Sequence, residues 1–164
     1  MKKNLVVIAL LAALTIVFFG CTEAGADFDV SSFWNQAPFA GAEAWANNNG
    51  QAGTYNAATG VFTVGTLTVD YQSLVTFEFP GGIQPGASNF LIDYIADVPG
   101  TTKWTGKKGY KSGTGDWYNQ TFSDGLNQLV VPVSRLGPDG FTIELAEAAQ
   151  NAAFKIKFLA TSWN

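Results

Sequence analysis

The segment at positions 103–122 (KWTGKKGYKSGTGDWYNQTF) carries side chains that could bind a ligand. It holds two of the five tryptophans and two of the five tyrosines of the chain, together with four lysines. Flat aromatic rings stack on the apolar C–H face of a pyranose, and amide, carboxylate or ammonium groups hydrogen bond to its hydroxyl rim. The composition therefore suits contact with a carbohydrate better than packing in a core alone.

Strand periodicity indicates which of these rings are exposed. Side chains alternate between the two faces of a strand, so an inward Phe122 places Tyr118 on the same inner side. Trp117 and Asn119 then lie together on the opposite face. We expect this pair, a large ring beside an amide, to contact a sugar.

Trp104 and Tyr110 are further candidate ligand-binding rings in the same hairpin. The neighbouring lysines could donate to sugar hydroxyls or to uronic carboxylates: Lys103, Lys107, Lys108 and Lys111. The alternative is that the rings pack in the core, as aromatic residues in strands commonly do.

Two candidate positions lie outside the hairpin. Trp45 belongs to the polar, glycine-rich stretch WANNNGQAGTY, where the asparagines at 47–49 could bind hydroxyls or could simply form a turn. Asp93 lies on the partly apolar face of a predicted central strand, either as a sugar partner or as a buried acid bonded to backbone amides.

Composition argues against catalysis. The chain has no histidine and one cysteine, which removes Ser-His and Cys-His nucleophiles and the commonest metal ligands. A glycosidase needs two carboxyl groups about 5–10 Å apart. Glu78 and Glu144 alternate with apolar residues, so we expect both to be plain outward side chains. We predict a non-catalytic protein without a metal centre.

The first twenty residues look like an export signal. Lys2 and Lys3 precede a short apolar run, positions 5–19, which is typical of a secretory signal. The following residues, VFFGC, resemble the lipobox of bacterial lipoproteins and imply lipidation at Cys21. We expect a signal at 1–20, a tether at 21–32 and one domain at 33–164, anchored by lipid to the bacterial cell envelope and facing the periplasm or the cell surface.

Net charge bears on the partners. Loss of the two lysines in the first twenty residues takes the net charge from −4 to −6. An acidic surface repels the phosphate backbone, so nucleic acid is not an expected partner.

The rest of the chain has the pattern of an all-β fold. Apolar residues recur with period two in short runs separated by Gly, Pro, Asn and Asp. The runs are Phe62 to Tyr71, Leu74 to Phe79, Phe90 to Val98, Leu129 to Val133, Phe141 to Leu145 and Phe154 to Phe158. We expect an antiparallel two-sheet β-sandwich (jelly roll), with Lys155 and Lys157 in water and Trp163 as a packing residue beyond the last strand.

Several of these runs resemble a known family. FLIDYIAD at 90–97, VVPVSRLGPDGFTIEL at 130–145 and the closing FKIKF strand are similar to bacterial carbohydrate-binding modules with a galactose-binding-like jelly roll. The resemblance spans about Thr54 to Phe158. It implies a non-catalytic domain that binds an oligo- or polysaccharide. The alternative is a structural or adhesive envelope lipoprotein that contacts another protein.

The same resemblance implies that a structural calcium is common. Candidate carboxylate ligands are Asp27, Asp29, Asp70 and Asp139. The chain has no D-x-[DN]-x-[DN]-G loop, so no cofactor is predicted beyond that calcium.

Overall fold

Two antiparallel sheets pack face to face in the computed structural model, which describes residues 31–98, 102–111, 118–146 and 153–164. The strands are β1 (Glu43–Ala44), β2 (Thr54–Asn56), β3 (Val61–Val64), β4 (Gln72–Glu78), β5 (Asn89–Asp97), β6 (Thr102–Lys108), β7 (Tyr118–Phe122), β8 (Gly125–Pro132), β9 (Gly140–Leu145) and β10 (Phe154–Trp163). A short helix, α1 (Ser31–Trp34), precedes them, and a 3₁₀ turn (Val133–Arg135) follows β8. The predicted two-sheet sandwich is confirmed.

Each sheet has five strands. Sheet A has the order β1-β4-β9-β6-β7, and sheet B has the order β2-β3-β10-β5-β8. The predicted central position of β5 is confirmed, because β10 and β8 pair with its two edges.

Aromatic rings fill the space between the sheets. Phe77 of sheet A meets Phe158 of sheet B edge to face, with ring centroids 5.4 Å apart. Trp104 stacks on Phe122 at 5.8 Å, and both rings are almost completely buried. Large rings at alternating positions of facing strands remove much apolar surface from water, which is the main force that holds such a sandwich together.

Gly106 shows how tightly sheet A packs. It lies on β6 directly opposite Ile143 of β9, below the ring of Phe141. A Cβ atom at this position would overlap the Phe141 ring and come within 3.2 Å of the Trp104 ring. Only glycine lets the two large rings share this layer.

The run from Phe62 to Tyr71 is not one strand, contrary to the prediction. β3 ends at Val64, and although Leu67 is buried, Val69 and Tyr71 are 45% and 41% exposed. Tyr71 adopts φ +60°, a left-handed conformation incompatible with a strand. The apolar alternation continues through a loop that returns the chain to the start of β4.

Lys157 is buried, whereas the sequence predicted that it meets water. Its neighbour Lys155 is exposed as expected, but Lys157 is only 1% exposed. The Lys157 Nζ donates to the carbonyl oxygens of Phe33 (2.7 Å) and Gln36 (2.6 Å). The segment that contains α1 therefore crosses the outer face of sheet B, and burial lowers the pKa of Lys157.

The last two strands end at Leu145 and Trp163. β9 ends at Leu145, where the predicted apolar run Phe141 to Leu145 also ends, while residues 147–152 lie outside the described ranges. Trp163 is the last residue of β10 and does not lie beyond it. Cys21, Asp27 and Asp29 also lie outside the described residues. Within those ranges, no helix is both long and apolar enough to cross a membrane.

Candidate functional site: the polar face of sheet A

The outer face of sheet A carries a set of polar side chains on its three middle strands. Two rows cross these strands in register, and we call the six residues the polar face: Ser73, Glu144 and Thr105 in one row, and Thr76, Thr142 and Lys107 in the other. Five of the six are 0–2% exposed, and the Lys107 side chain is 21% exposed. Buried polar groups need partners, so their contacts decide what this face can do.

Glu144 is the centre of the polar face. Its Oε1 accepts hydrogen bonds from Asn47 Nδ2 (2.7 Å) and Ser73 Oγ (3.3 Å), and Lys107 Nζ lies 3.0 Å from it. The prediction that Glu144 is a plain outward side chain is wrong, because it is 0% exposed. It points away from the core as the alternation requires, but other parts of the chain cover it.

Two buried oxygen atoms of this face lack a partner among the described residues. One is Glu144 Oε2, and the other is Thr105 Oγ1. The two residues are direct neighbours on β9 and β6. Such groups are rare in folded proteins and call for a water molecule, an ion or a ligand. The polar face thus has unused hydrogen-bonding capacity next to the Lys107–Glu144 ion pair.

A turn covers one end of the polar face. Asn47 accepts a hydrogen bond from the Gly50 amide through its carbonyl oxygen (2.9 Å). Its side-chain amide also donates to the carbonyl oxygen of Tyr71 (2.7 Å), in addition to Glu144. Asn49 Nδ2 donates to the carbonyl oxygen of Asp70 (3.0 Å). Because one Asn47 amide contacts both groups, the Tyr71 backbone carbonyl lies close to the buried carboxylate.

The segment after β6 flanks the other end. Thr142 Oγ1 donates to the Gly109 carbonyl (3.2 Å), Tyr110 donates its hydroxyl proton to Glu43, and Lys111 Nζ lies 2.8 Å from the Glu43 carboxylate. The bonds from Lys111 and Tyr110 lower the pKa of Glu43, and the bond to Glu43 raises the pKa of Tyr110. Lys111 adopts φ +62°, so this segment, like Tyr71, contains a strained residue.

The structure separates the predicted site residues into a sheet A group and outliers. Tyr110 and Trp45 are half-buried, Tyr110 after β6 and Trp45 directly after β1. Asn119 is exposed on β7, opposite Thr105 of the polar face. Trp45 and Asn119 belong to opposite edges of sheet A, and four strand spacings of ~4.8 Å separate those edges by about 19 Å.

Trp104 is a correction to the predicted site. Its ring is 1% exposed and packs against Phe122, Phe141 and Tyr118 inside the sandwich. Even positions of β6 point inward, so Trp104 presents no ring face to a ligand. The alternative of core packing therefore describes Trp104 correctly.

Asp93 is remote from the polar face, and Trp117 is not among the described residues. Asp93 lies on β5 of sheet B, half-buried, and accepts a hydrogen bond of 2.7 Å from Gln128 Nε2. It is thus bonded to a side chain of the neighbouring strand β8.

Sequence reasoning missed Glu144, the central residue of the polar face, which the alternation predicts to be a plain outward side chain. It did name Lys107 as a possible sugar contact, and it placed Tyr71 in a strand. Two signals were available. Thr142 and Glu144 alternate with the apolar residues of one strand, and the Asn-rich stretch at 47–49 lies between two strands of the same sheet, β1 and β4.

The carboxylates of the described residues are not arranged as a metal site. In the described part of the chain, no three Asp, Glu, Cys or His side chains group closely enough to hold a metal ion.

None of the protein-family models, curated proteins and solved structures compared with the chain matches it. The function therefore has to be argued from the residues themselves.

Proposed function

We propose that the polar face binds a carbohydrate reversibly, without a chemical step. The observation that carries this proposal is the buried Glu144 carboxylate, which holds Lys107 and Asn47 side by side and still has an unpartnered oxygen next to Thr105. A sugar hydroxyl can accept a hydrogen bond from the lysine that this carboxylate orients.

Aromatic and amide side chains around the face supply the second half of a sugar site. Tyr71 is 41% exposed next to Asn47, Tyr110 and Trp45 are half-buried, and Asn119 is exposed. A saccharide could stack on a ring while its hydroxyl rim meets the amides and Lys107. Sheet A is about 19 Å wide between its edge strands, so side chains along it suit an oligosaccharide better than a single sugar.

The roles of the residues follow from their exposure. Lys107, Tyr71 and Asn119 reach solvent and are the proposed contacts, whereas the buried Glu144 is a positioning residue that orients Lys107 and Asn47. If Lys107 makes a charge-assisted bond, uronic acids should bind more tightly than their neutral counterparts. The anchored location predicted from the sequence fits capture of envelope or external polysaccharide, and remains a proposal.

A glycan array followed by titration calorimetry tests the proposal. The wild-type protein should bind at least one oligosaccharide, and Lys107→Met should weaken binding by about tenfold, as expected from loss of one charge-assisted bond. Lys155→Met is the matched control, because Lys155 is an exposed lysine on β10 of the other sheet. No binding to a broad array, or equal losses in the two variants, would contradict the proposal.

A further inference from the structure

The turn at 47–50 contains the only Asn-Gly dipeptide of the chain, Asn49-Gly50. The turn lies between β1 and β2, and Asn49 is exposed. The backbone amide nitrogen that follows an asparagine can attack its side-chain carbonyl carbon, because the attack closes a five-membered ring. Glycine obstructs this attack least, since it has no Cβ atom beside the nitrogen. The dipeptide is therefore a candidate site of spontaneous covalent modification.

The fold requires glycine at position 50. Gly50 adopts φ +96°, in the left-handed region that side chains other than glycine rarely occupy. A Cβ atom at this position would also come within 3.3 Å of Gln72 Nε2. The turn thus keeps, directly after Asn49, the residue that leaves the amide nitrogen most accessible.

Three hydrogen bonds hold the reacting groups while the turn is closed. The Gly50 amide donates to the Asn47 carbonyl oxygen (2.9 Å), and the Asn49 amide donates to Asn47 Oδ1 (2.8 Å). Asn49 Nδ2 donates to the carbonyl oxygen of Asp70 (3.0 Å). The two bonds that involve side chains are exposed to water, and short exposed turns open far more often than the strands of a core. Reaction therefore occurs in the fraction of molecules in which this turn is open.

Conversion of Asn49 to an acid would weaken the attachment of the turn to sheet A. The donor Nδ2 would be replaced by a carboxylate oxygen that faces the Asp70 carbonyl, so two acceptors would meet where one hydrogen bond exists now. The Gly50 carbonyl accepts from the Ser73 amide (3.2 Å), and Asn47 donates to Glu144. A disturbance at position 49 therefore reaches β4 and the buried carboxylate.

We propose that Asn49 is a site of spontaneous deamidation that the closed turn slows, and that its product loosens the turn over Glu144. The Gly50 amide nitrogen attacks Asn49 Cγ, the Cγ–Nδ2 bond breaks, and ammonia leaves with the proton of the backbone amide. Water then opens the resulting succinimide to aspartate or isoaspartate. The isoaspartate has an additional backbone carbon, which shifts Gly50 relative to Asn47. This modification site does not depend on carbohydrate binding at the polar face.

Incubation in mildly alkaline buffer, followed by peptide mapping in a mass spectrometer, tests the site. Asn49 should lose its amide faster than Asn119, another exposed asparagine, which precedes glutamine. Asn47→Ala should raise the rate at Asn49 at least about threefold, because it removes the acceptor of the Asn49 amide. Asn56→Ala removes the side-chain acceptor of a different turn and should leave the rate unchanged. A rate at Asn49 no higher than at Asn119, or equal rates in Asn47→Ala and the wild type, would overturn the proposal.

Hydrogen exchange tests the consequence of the modification. The deamidated protein, separated by anion exchange, should exchange its Ser73 amide proton at least about threefold faster than the wild type, because that amide donates to Gly50. Asn119→Asp is the matched control: it adds the same charge at an exposed position of β7 and should leave Ser73 unchanged. Wild-type exchange of Ser73 in the deamidated protein, or equal acceleration in the control, would contradict the proposed loosening of the turn.

Discussion

Sheets A and B each bury a charged side chain on the outer face, and they satisfy it in different ways. On sheet B, Lys157 Nζ donates to two backbone carbonyls of the segment that contains α1. On sheet A, Glu144 accepts from two side chains and pairs with Lys107, yet one of its oxygens has no partner among the described residues.

This difference distinguishes the structural role of Lys157 from the binding role that we propose for the polar face. The Lys157 ammonium fixes a covering segment to sheet B and uses backbone atoms that no ligand would replace. The Glu144 carboxylate organises side chains that reach solvent and retains hydrogen-bonding capacity. Buried charge alone therefore does not mark a site, and the proposal rests on the unused hydrogen-bonding capacity of Glu144 and on its exposed neighbours.

The largest predicted effect is that of Glu144→Ala. This change removes the acceptor of Asn47 and Ser73 and leaves Lys107 without its carboxylate, so the free energy of unfolding should fall by about 2–3 kcal/mol. Urea denaturation measures it. Glu78→Ala, at an exposed glutamate of the same sheet, should change it by less than about 0.5 kcal/mol. If the two variants lost the same free energy of unfolding, burial of the Glu144 carboxylate would not explain its contribution to stability.

Asn47→Ala should have a smaller effect on the same face. Its side-chain amide bonds both Tyr71 and Glu144, and loss of the two bonds should cost about 1–2 kcal/mol. Hydrogen exchange should also show faster exchange of the Gly50 and Ser73 amides, which the turn at 47–50 orders. If these amides exchange at wild-type rates in the variant, Asn47 does not hold the turn at 47–50 over the polar face.

Lys157 should change how the free energy of unfolding depends on pH in the alkaline range. Burial lowers its pKa in the folded state below the ordinary 10.5, so in the window just below that value the unfolded chain binds more protons. The free energy of unfolding of the wild type, measured relative to Lys157→Met, should therefore rise as the pH increases toward 10.5 from below. Subtracting the variant removes the contribution of the tyrosines. A flat or falling difference would mean that the lysine is not desolvated.

The smallest effect should come from Tyr110→Phe. The Tyr110 hydroxyl bonds an exposed carboxylate, so its removal should change the free energy of unfolding by less than about 0.5 kcal/mol. The pKa of Glu43, followed by NMR titration, should rise toward its ordinary value because one of the two bonds that lower it is gone. An unchanged Glu43 pKa would show that the bond is not formed in solution.

Local alternation predicted much of the fold. The inward positions of β5, from Phe90 to Ala96, and those of β10, from Phe154 to Phe158, are buried as expected, because strands with one face on a core keep period two. The left-handed Tyr71 shows the limit of that rule, since the same alternation continued through a loop.

The polar face could not be predicted in the same way. Alternation correctly places Glu144 and Lys157 on outer faces, but whether an outer face meets water depends on segments distant in sequence. Asn47 is 97 residues from Glu144, and Phe33 is 124 residues from Lys157. Conversely, lysines flank Trp104 in the sequence and suggested a sugar contact, yet its inward position on β6 buries the ring.

The most direct test of the proposed carbohydrate site is an NMR titration with the oligosaccharide that binds best on the array. Backbone amide shifts should change at Asn47, Thr105 and Lys107 on sheet A, while the amides of Asp93 and Lys157 on sheet B stay unperturbed. Shift changes concentrated on sheet B, or none on the polar face at saturation, would contradict the assignment of this face as the binding site.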